Sequence, residues 1–339
     1  MDVFALTRAL VDIESITNNE ERVGLYLRDR LRALAAQYGG QVETMEVEPR
    51  RYNVFAQFGD RLDVTLSTHL DTVPPFVASR EDGAHIWGRG SCDAKGIIAS
   101  MIHAAEALLE AGERNFGILL LVGEERNSAG AYQAARSPRG SRYLINGEPT
   151  ENKLALGSKG ALRYEVFSAG RMAHSAYPEL GDSAIHKLVD ALALMRAIAL
   201  PVDPLLGAST LNIGTIHGGR APNVVADEAK AEILIRLVGD SSQTKQALAR
   251  AAEGRAELRE VIEIPALRLN PFDGIATTVV AFTTDIPAFG GQWGEPFLIG
   301  PGSIHVAHTL EERVSKQQLS EAVEIYKRMV INLCKRESK

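Results

Sequence analysis

At 339 residues the chain is long enough for one large domain or two. Its apolar and charged fractions are those of an ordinary globular protein, and a net charge of −6 without any dense Lys/Arg block argues against binding to nucleic-acid phosphates. The longest apolar runs are well below the roughly 20 residues that span a bilayer, and two cysteines, Cys92 and Cys334, imply no disulfide framework. The N-terminus enters an amphipathic pattern directly, with no basic and then apolar leader, so a cytoplasmic address is expected, with neither nucleic acid nor membrane as partner.

In chain order, residues 3–36 read as helices, with Leu6, Leu10 and Ile13 and then Val23, Leu27, Leu31 and Leu34 at helical spacing after the capping-type Thr17-Asn18-Asn19-Glu20. Residues 42–47, 53–58 and 63–67 read as strands. A helix is expected over 94–111, directly after Asp93. Residues 116–122 are an apolar run of strand length, expected to be buried on both faces, and 143–146 form another short strand. This alternation predicts an α/β fold with a mixed, mostly parallel sheet flanked by helices. Ligands of such sheets bind beyond the carboxyl ends of the strands.

From about residue 157 the pattern changes. Strands are expected over 161–169, 209–214, 224–227, 229–237 and 258–267, and helices over 183–200 and 243–253. That is close to a β-α-β-β-α-β order, so 157–268 reads as an inserted α+β domain, with 1–156 and 269–339 forming the main one. A strand over 277–283 and a closing amphipathic helix over 319–333 complete the chain.

Seven potential metal-binding side chains sit in short segments that mostly follow apolar runs: His69, Asp71, Asp93, Glu124, Glu125, Glu148 and His308. Two histidines with several carboxylates are the ligand chemistry of a two-zinc hydrolytic site. Asp93, between Gly90 and Gly96 at a helix start, is the best bridging candidate, because a carboxylate can bridge two ions and a neutral imidazole cannot. Asp71, two residues after His69, is placed to accept from the other ring N–H of that histidine. Glu124 and Glu125 point in different directions at a strand end, so that one can bind metal while the other serves as a base. His305 and His308, three apart, would share a face in a helical segment. Taken singly, each of these residues is as well explained by a solvated turn; their joint occurrence at strand ends points to one site.

The segments His69-Leu70-Asp71-Thr72-Val73-Pro74, Gly88-Arg89-Gly90-Ser91-Cys92-Asp93-Ala94-Lys95-Gly96, Gly123-Glu124-Glu125, Gly147-Glu148-Pro149-Thr150, Ala173-His174-Ser175-Ala176-Tyr177-Pro178 and Gly300-Pro301-Gly302-Ser303 through Ala307-His308 make the chain resemble the M20 family of zinc metallopeptidases. That family contains acetylornithine deacetylase, succinyl-diaminopimelate desuccinylase, aminoacylase and glutamate carboxypeptidase. The resemblance covers essentially the whole chain. It implies a zinc exopeptidase-like fold and two Zn2+ ions, with Co2+ as a substitute. His69, Asp93 and Glu148 would hold one ion, and Asp93, Glu125 and His308 the other. It makes Glu124 the general base and acid, Asp71 the partner of His69, and Asp93–Ala94 a cis peptide. The inserted domain becomes a lid that also dimerises, giving a homodimer. On it, His174 stabilises the oxyanion, Asn223 touches substrate, and Arg236 pairs with a substrate carboxylate; Gly302 joins them as a substrate-binding position. Ala226, and Leu237-Val238-Gly239 after Arg236, stand where many members carry proline. The stretch between lid and final motif is also short.

Thr284-Asp285-Ile286-Pro287 and Ile299 to Ser303 most resemble the acetylornithine and acetyl-lysine deacetylase branch. The expected function is therefore removal of an N-acyl group from an amino acid such as N-acetylornithine or N-acetyl-lysine, a step of amino-acid biosynthesis. The rivals are a dipeptidase or carboxypeptidase, a succinyl-amino-acid desuccinylase, and a metal-binding protein without turnover.

Overall fold

The structure, a computed structural model, describes residues 1–336. The chain divides into two compact units. One comprises Met1–Leu156, Leu269–Thr278 and the described residues from Thr284 onward; the other comprises Gly157–Arg268 and Val279–Thr283. No helix among the described residues is long and apolar enough to cross a membrane.

The first unit is built on a six-stranded sheet of β1 (Gln41–Glu48), β2 (Arg51–Phe58), β3 (Val64–His69), β4 (Phe116–Leu121), β5 (Tyr143–Asn146) and β6 (Glu295–Leu298), in the spatial order β1-β2-β4-β3-β5-β6. β1 pairs with β2 and β2 with β4 antiparallel, whereas β4, β3, β5 and β6 run parallel. Every residue of β3, β4 and β5 is buried, which is why these strands read as continuous apolar runs rather than alternating ones.

Alternation still sorts β4 between two cores. Ile118 and Leu120 face the helices Val3–Val11, Glu21–Tyr38, Gly96–Glu110 and Lys316–Cys334, while Leu119 and Leu121 face a smaller cluster with Phe55, Ala134, Phe289 and Trp293. The register aligns the carboxyl ends: His69 lies opposite Leu121, and Ser67 lies opposite both Leu119 and Asn146. Residues just beyond these three strands therefore emerge on one edge of the sheet.

The main elements of the second unit run β-α-β-β-α-β, with a short hairpin of Val202–Asp203 and Gly207–Ala208 after the first helix. Its strands lie in the spatial order Thr210–Gly218, Glu228–Leu237, Gly160–Ala169, Glu257–Ile264, each antiparallel to its neighbour. Helices Ala184–Arg196 and Ser242–Ala252 cover one face. Leu188, Leu192 and Leu248 pack there against Leu162, Val166, Ile233 and Ile235.

Several elements differ from the sequence expectation. Residues 224–227 form no strand; Val224 makes only an isolated bridge with His174, because the turn around Pro222-Asn223 leaves too few residues for a ladder. The helix after Asp93 begins at Gly96, behind a separate turn over Ser91–Lys95. Residues 304–308 are turns, and His308 has φ 64°, so His305 and His308 share no helical face. The helix Ala129–Ala135 and strand β6 carry no clear periodic signal. β6 has only four residues, one of them Pro296, which an edge position tolerates.

Candidate metal centre

His69 ends β3. Its Nδ1 lies 3.0 Å from the main-chain carbonyl of Asp71, so that nitrogen carries a proton and donates, and Nε2 faces Asp93 Oδ1 at 2.9 Å, donating to it in the metal-free protein and able to bind a cation once it loses its proton. The Asp71 carboxylate is 3.6 Å from Nδ1, too far for a hydrogen bond. In this geometry the main-chain carbonyl of Asp71, rather than its carboxylate, is the group within hydrogen-bond reach of His69 Nδ1. The buried carboxylate instead accepts from the main-chain N–H groups of Gly123 (3.0 Å), Glu124 (3.1 Å) and Glu125 (3.3 Å) and from the Thr17 hydroxyl (2.8 Å). Asp71 thus organises the turn that carries both glutamates.

Asp93 sits in the Ser91–Lys95 turn, and its peptide bond to Ala94 is cis. The turn is tight enough that a Cβ on Gly96 would lie 2.4 Å from the Ser91 carbonyl. One carboxylate oxygen of Asp93 faces each histidine: Oδ1 faces His69, and Oδ2 lies 3.3 Å from His308 Nε2. His308 Nε2 is also 3.0 Å from Glu125 Oε2. Two groups result, His69–Asp93–Glu148 and Asp93–Glu125–His308; within each, the ligand atoms lie within 4.8 Å of one another, and Asp93 is common to both.

The electrostatics of these groups are unbalanced. Burial raises the Glu148 carboxyl well above its ordinary pKa, and the Glu148 Oε1 atom is buried without a hydrogen-bond partner. Burial also raises Glu124, helped by the neighbouring Glu148, and it raises Glu125 against the pull of His308. Asp93 is held below the ordinary carboxylate range, because hydrogen bonds from His308 and His69 overcome its burial. The same contacts, from Asp93 and then Glu125, lift His308 to about 10. Buried carboxylates pressed together in this way, with a lone pair of one aimed at nothing, lack positive charge. Two imidazole nitrogens and three carboxylates, one shared, fit two divalent cations in donor type and number.

Glu124 belongs to neither group and remains available as a base. His305 is exposed and outside both groups. Gly302, with φ 89°, closes over the Asp93 turn; a Cβ there would meet Cys92 Cβ at 2.6 Å. Sequence reasoning missed Glu312 and Arg89, a buried pair behind the Asp93 turn, and assigned no role to Asp285, which is buried and raised to about 7 by that burial. Nothing in the run Leu310-Glu311-Glu312-Arg313 marks the second glutamate as buried. The arginine of Gly88-Arg89-Gly90 had a signal, its fixed place beside a candidate ligand.

The remaining candidates lie in the second unit. The His174 segment bridges to Val224, and Ser175 N donates to the Asn223 carbonyl at 3.0 Å, so His174 and Asn223 are neighbours. The Ala176 N–H donates to His174 Nδ1 at 3.1 Å, which puts the ring proton of a neutral imidazole on Nε2, on an exposed side chain. Arg236 lies on the strand Glu228–Leu237 opposite Ala161 and Thr210, half-buried and in no ion pair among the described residues. The structure collects the five candidate ligands, Asp71 and Glu124 in one unit, and these three in the other.

Residues 65–332 match the profile described as Peptidase family M20/M25/M40. A peptidase M20 domain-containing protein of Schizosaccharomyces pombe is 38% identical over 97% of this chain and 84% of its own length. A probable carboxypeptidase of Aspergillus flavus is 35% identical over 95% of this chain and 88% of its own. Among solved structures, a tripeptidase from Staphylococcus aureus superposes with a TM-score of 0.82 at 21% identity, covering 98% of each chain, a likeness of fold.

Proposed function

The chain belongs to peptidase family M20/M25/M40, a family of metal-dependent hydrolases of amide bonds, and from that premise we propose that it is a two-metal carboxypeptidase-type amidohydrolase. It cleaves the amide bond that joins an acyl or peptidyl group to an amino acid with a free α-carboxylate. The single observation that carries this reading is the sharing of Asp93 between two ligand groups, one of them wholly buried, with Glu124 beside them and part of neither.

His69, Asp93 and Glu148 would hold one cation and Asp93, Glu125 and His308 the other, and zinc suits this mixed nitrogen and carboxylate set, with Co2+ as a substitute. Bound there, such cations supply Lewis acidity to the scissile carbonyl and acidify a water. Glu124 takes a proton from the attacking water and returns it to the leaving amine nitrogen, the two transfers a single carboxyl can serve in turn. The three N–H contacts to Asp71 fix the turn from which it acts. His174 offers its Nε2–H to the developing oxyanion. Arg236, in no ion pair among the described residues, pairs with the α-carboxylate of the substrate, and Asn223 and Gly302 each supply a substrate contact.

The relatives named carboxypeptidases favour a peptidyl acyl group. A second reading, deacylation of N-acetylornithine, N-acetyl-lysine or a succinyl-amino acid, is favoured by the Thr284-Asp285-Ile286-Pro287 and Gly300-Pro301-Gly302-Ser303 segments. Both substrates present the same acyl–NH–CHR–COO− arrangement. A metal-binding role without turnover is disfavoured by the complete ligand set and by Glu124 standing outside both ligand groups. Free Cys92 and Cys334 fit a reducing compartment, so a cytoplasmic setting belongs to the proposal. A homodimer through the second unit does too. Its strand Thr210–Gly218 is a sheet edge carrying exposed Ile216, and Val189 is exposed on the helix Ala184–Arg196.

The test is a substrate panel with Zn2+ or Co2+ and mass detection of products: dipeptides, longer peptides with free or amidated C-termini, and N-acetyl and N-succinyl amino acids. The proposal expects hydrolysis of peptides with free C-termini and none of their amidated forms. Turnover confined to acylated amino acids selects the second reading. A metal-loaded protein that hydrolyses nothing in the panel ends both.

A further inference from the structure

Glu312 lies four residues after His308 and belongs to neither ligand group, yet it and Arg89 are both 2% exposed. Burying an ion pair costs desolvation that the pair alone seldom repays, so the remaining lone pairs need partners. At Glu312 they have them. Oε2 accepts from Arg89 Nη1 at 2.5 Å, while Oε1 accepts from Gly90 N at 2.8 Å and from Asp93 N at 3.3 Å. Arg89 is anchored in turn, its Nε donating to the Pro75 carbonyl at 3.3 Å and its main-chain N to the Val77 carbonyl at 3.0 Å.

The main chain repeats the connection. Gly88 N donates to the Glu312 carbonyl at 3.0 Å, and Arg313–Ser315 pairs antiparallel with His85–Trp87. One residue thus grips the turn that presents Asp93 and, through its own backbone, ends the loop that presents His308. These two side chains are members of the Asp93–Glu125–His308 group and stand 3.3 Å apart.

We propose that Glu312 is a positioning residue that fixes the separation of Asp93 and His308 and thereby governs cation affinity at the His308 position more than at the His69 position. The inference rests on the two-metal reading of the site. A glutamine in its place turns an NH2 group towards the N–H groups of Gly90 and Asp93 or towards Arg89, donor against donor, in the same volume. An aspartate keeps the charge but is one methylene short.

The experiment is calorimetric titration of metal-free wild type, Glu312→Gln, Glu312→Asp and Arg89→Lys with Zn2+, alongside visible spectra of the Co2+-loaded forms. The thermal midpoint of each metal-free protein reports folding, and the binding step abolished by His308→Ala identifies the His308 position. In Glu312→Gln that step is expected to weaken about 10- to 100-fold, the usual cost of losing an outer-shell partner. The other step should move much less, and the Co2+ spectrum of the second ion should change. Arg89→Lys, which keeps charge but loses the planar fork, carries the same expectation should Glu312→Gln fail to fold. A folded variant with both steps unchanged, or with both weakened equally, overturns the inference. A wild type that takes up fewer than two ions brings down the two-metal reading first and this inference with it.

Discussion

The two units of this chain place their charged side chains differently. In the second unit the acids and bases lie at the surface in pairs such as Arg163 with Glu232, Lys245 with Glu260 and Glu263, and Arg259 with Glu165. Pairs of this kind contribute at most about 1 kcal/mol each and say little about function. In the first unit, His69, Asp71 and Glu148 are buried at the ends of parallel strands and Asp93 in the Ser91–Lys95 turn beside them, and carboxylates outnumber the cationic groups that face them. Such an arrangement lowers the stability of the metal-free protein, and a bound cation relieves it. Charge that costs stability points to a site more reliably than charge that is solvated.

The contrast can be broken first at Glu124. Glu124→Gln should lower kcat by about 10²- to 10⁴-fold, the range of general acid–base catalysis, while metal content stays at the wild-type level. Loss of metal instead would mean that Glu124 and Glu125 have exchanged roles. The next effect concerns the exception within the second unit, His174. His174→Ala should lower kcat by about 10²- to 10³-fold, the cost of one oxyanion donor, with unchanged metal content; an unaffected kcat removes it from the mechanism.

A third comparison is pH against stability. In the metal-free protein Glu124, Glu125 and Glu148 titrate above the ordinary carboxyl range and His308 near 10. The native state therefore holds more protons than the unfolded chain at neutral pH, and stability falls as pH rises. The carboxyl share begins to be lost above about 4.5, and the His308 share is lost between about 6.5 and 10. Asp93, with its lowered pKa, acts in the opposite sense and only in the acid range. Thermal midpoints in chelator should thus drop from pH 5 to pH 9, and the increment produced by Zn2+ should grow, since cations bind the deprotonated ligands. A metal-free midpoint that climbs over that range contradicts the charge imbalance. The smallest effect is the control: Arg259→Ala should change stability by no more than about 1 kcal/mol and leave kcat unaltered.

Much of the first unit is legible in the sequence because its signals are local. The apolar run that becomes β4 and the glycines around Asp93 each state a physical requirement within a few residues. The β-α-β-β-α-β order of the second unit is legible for the same reason, since its strands alternate buried and exposed positions. Tertiary choices are not. Glu311 and Glu312 are adjacent and identical, yet their side chains are 69% and 2% exposed, because only the second meets Arg89. Asp71 could be recognised as important, but its real partners, the N–H groups of residues 123–125, lie across the sheet. Residues 224–227 have strand-forming composition but follow a proline turn that keeps them out of the ladder.

The central claim, that Asp93 is shared between two cations, is tested most directly by counting them. Equilibrium dialysis of the reconstituted protein against Zn2+, followed by elemental analysis, should find two ions per chain, and one in His308→Ala. A wild type that retains none or one, or a His308→Ala variant that still retains two, contradicts the account.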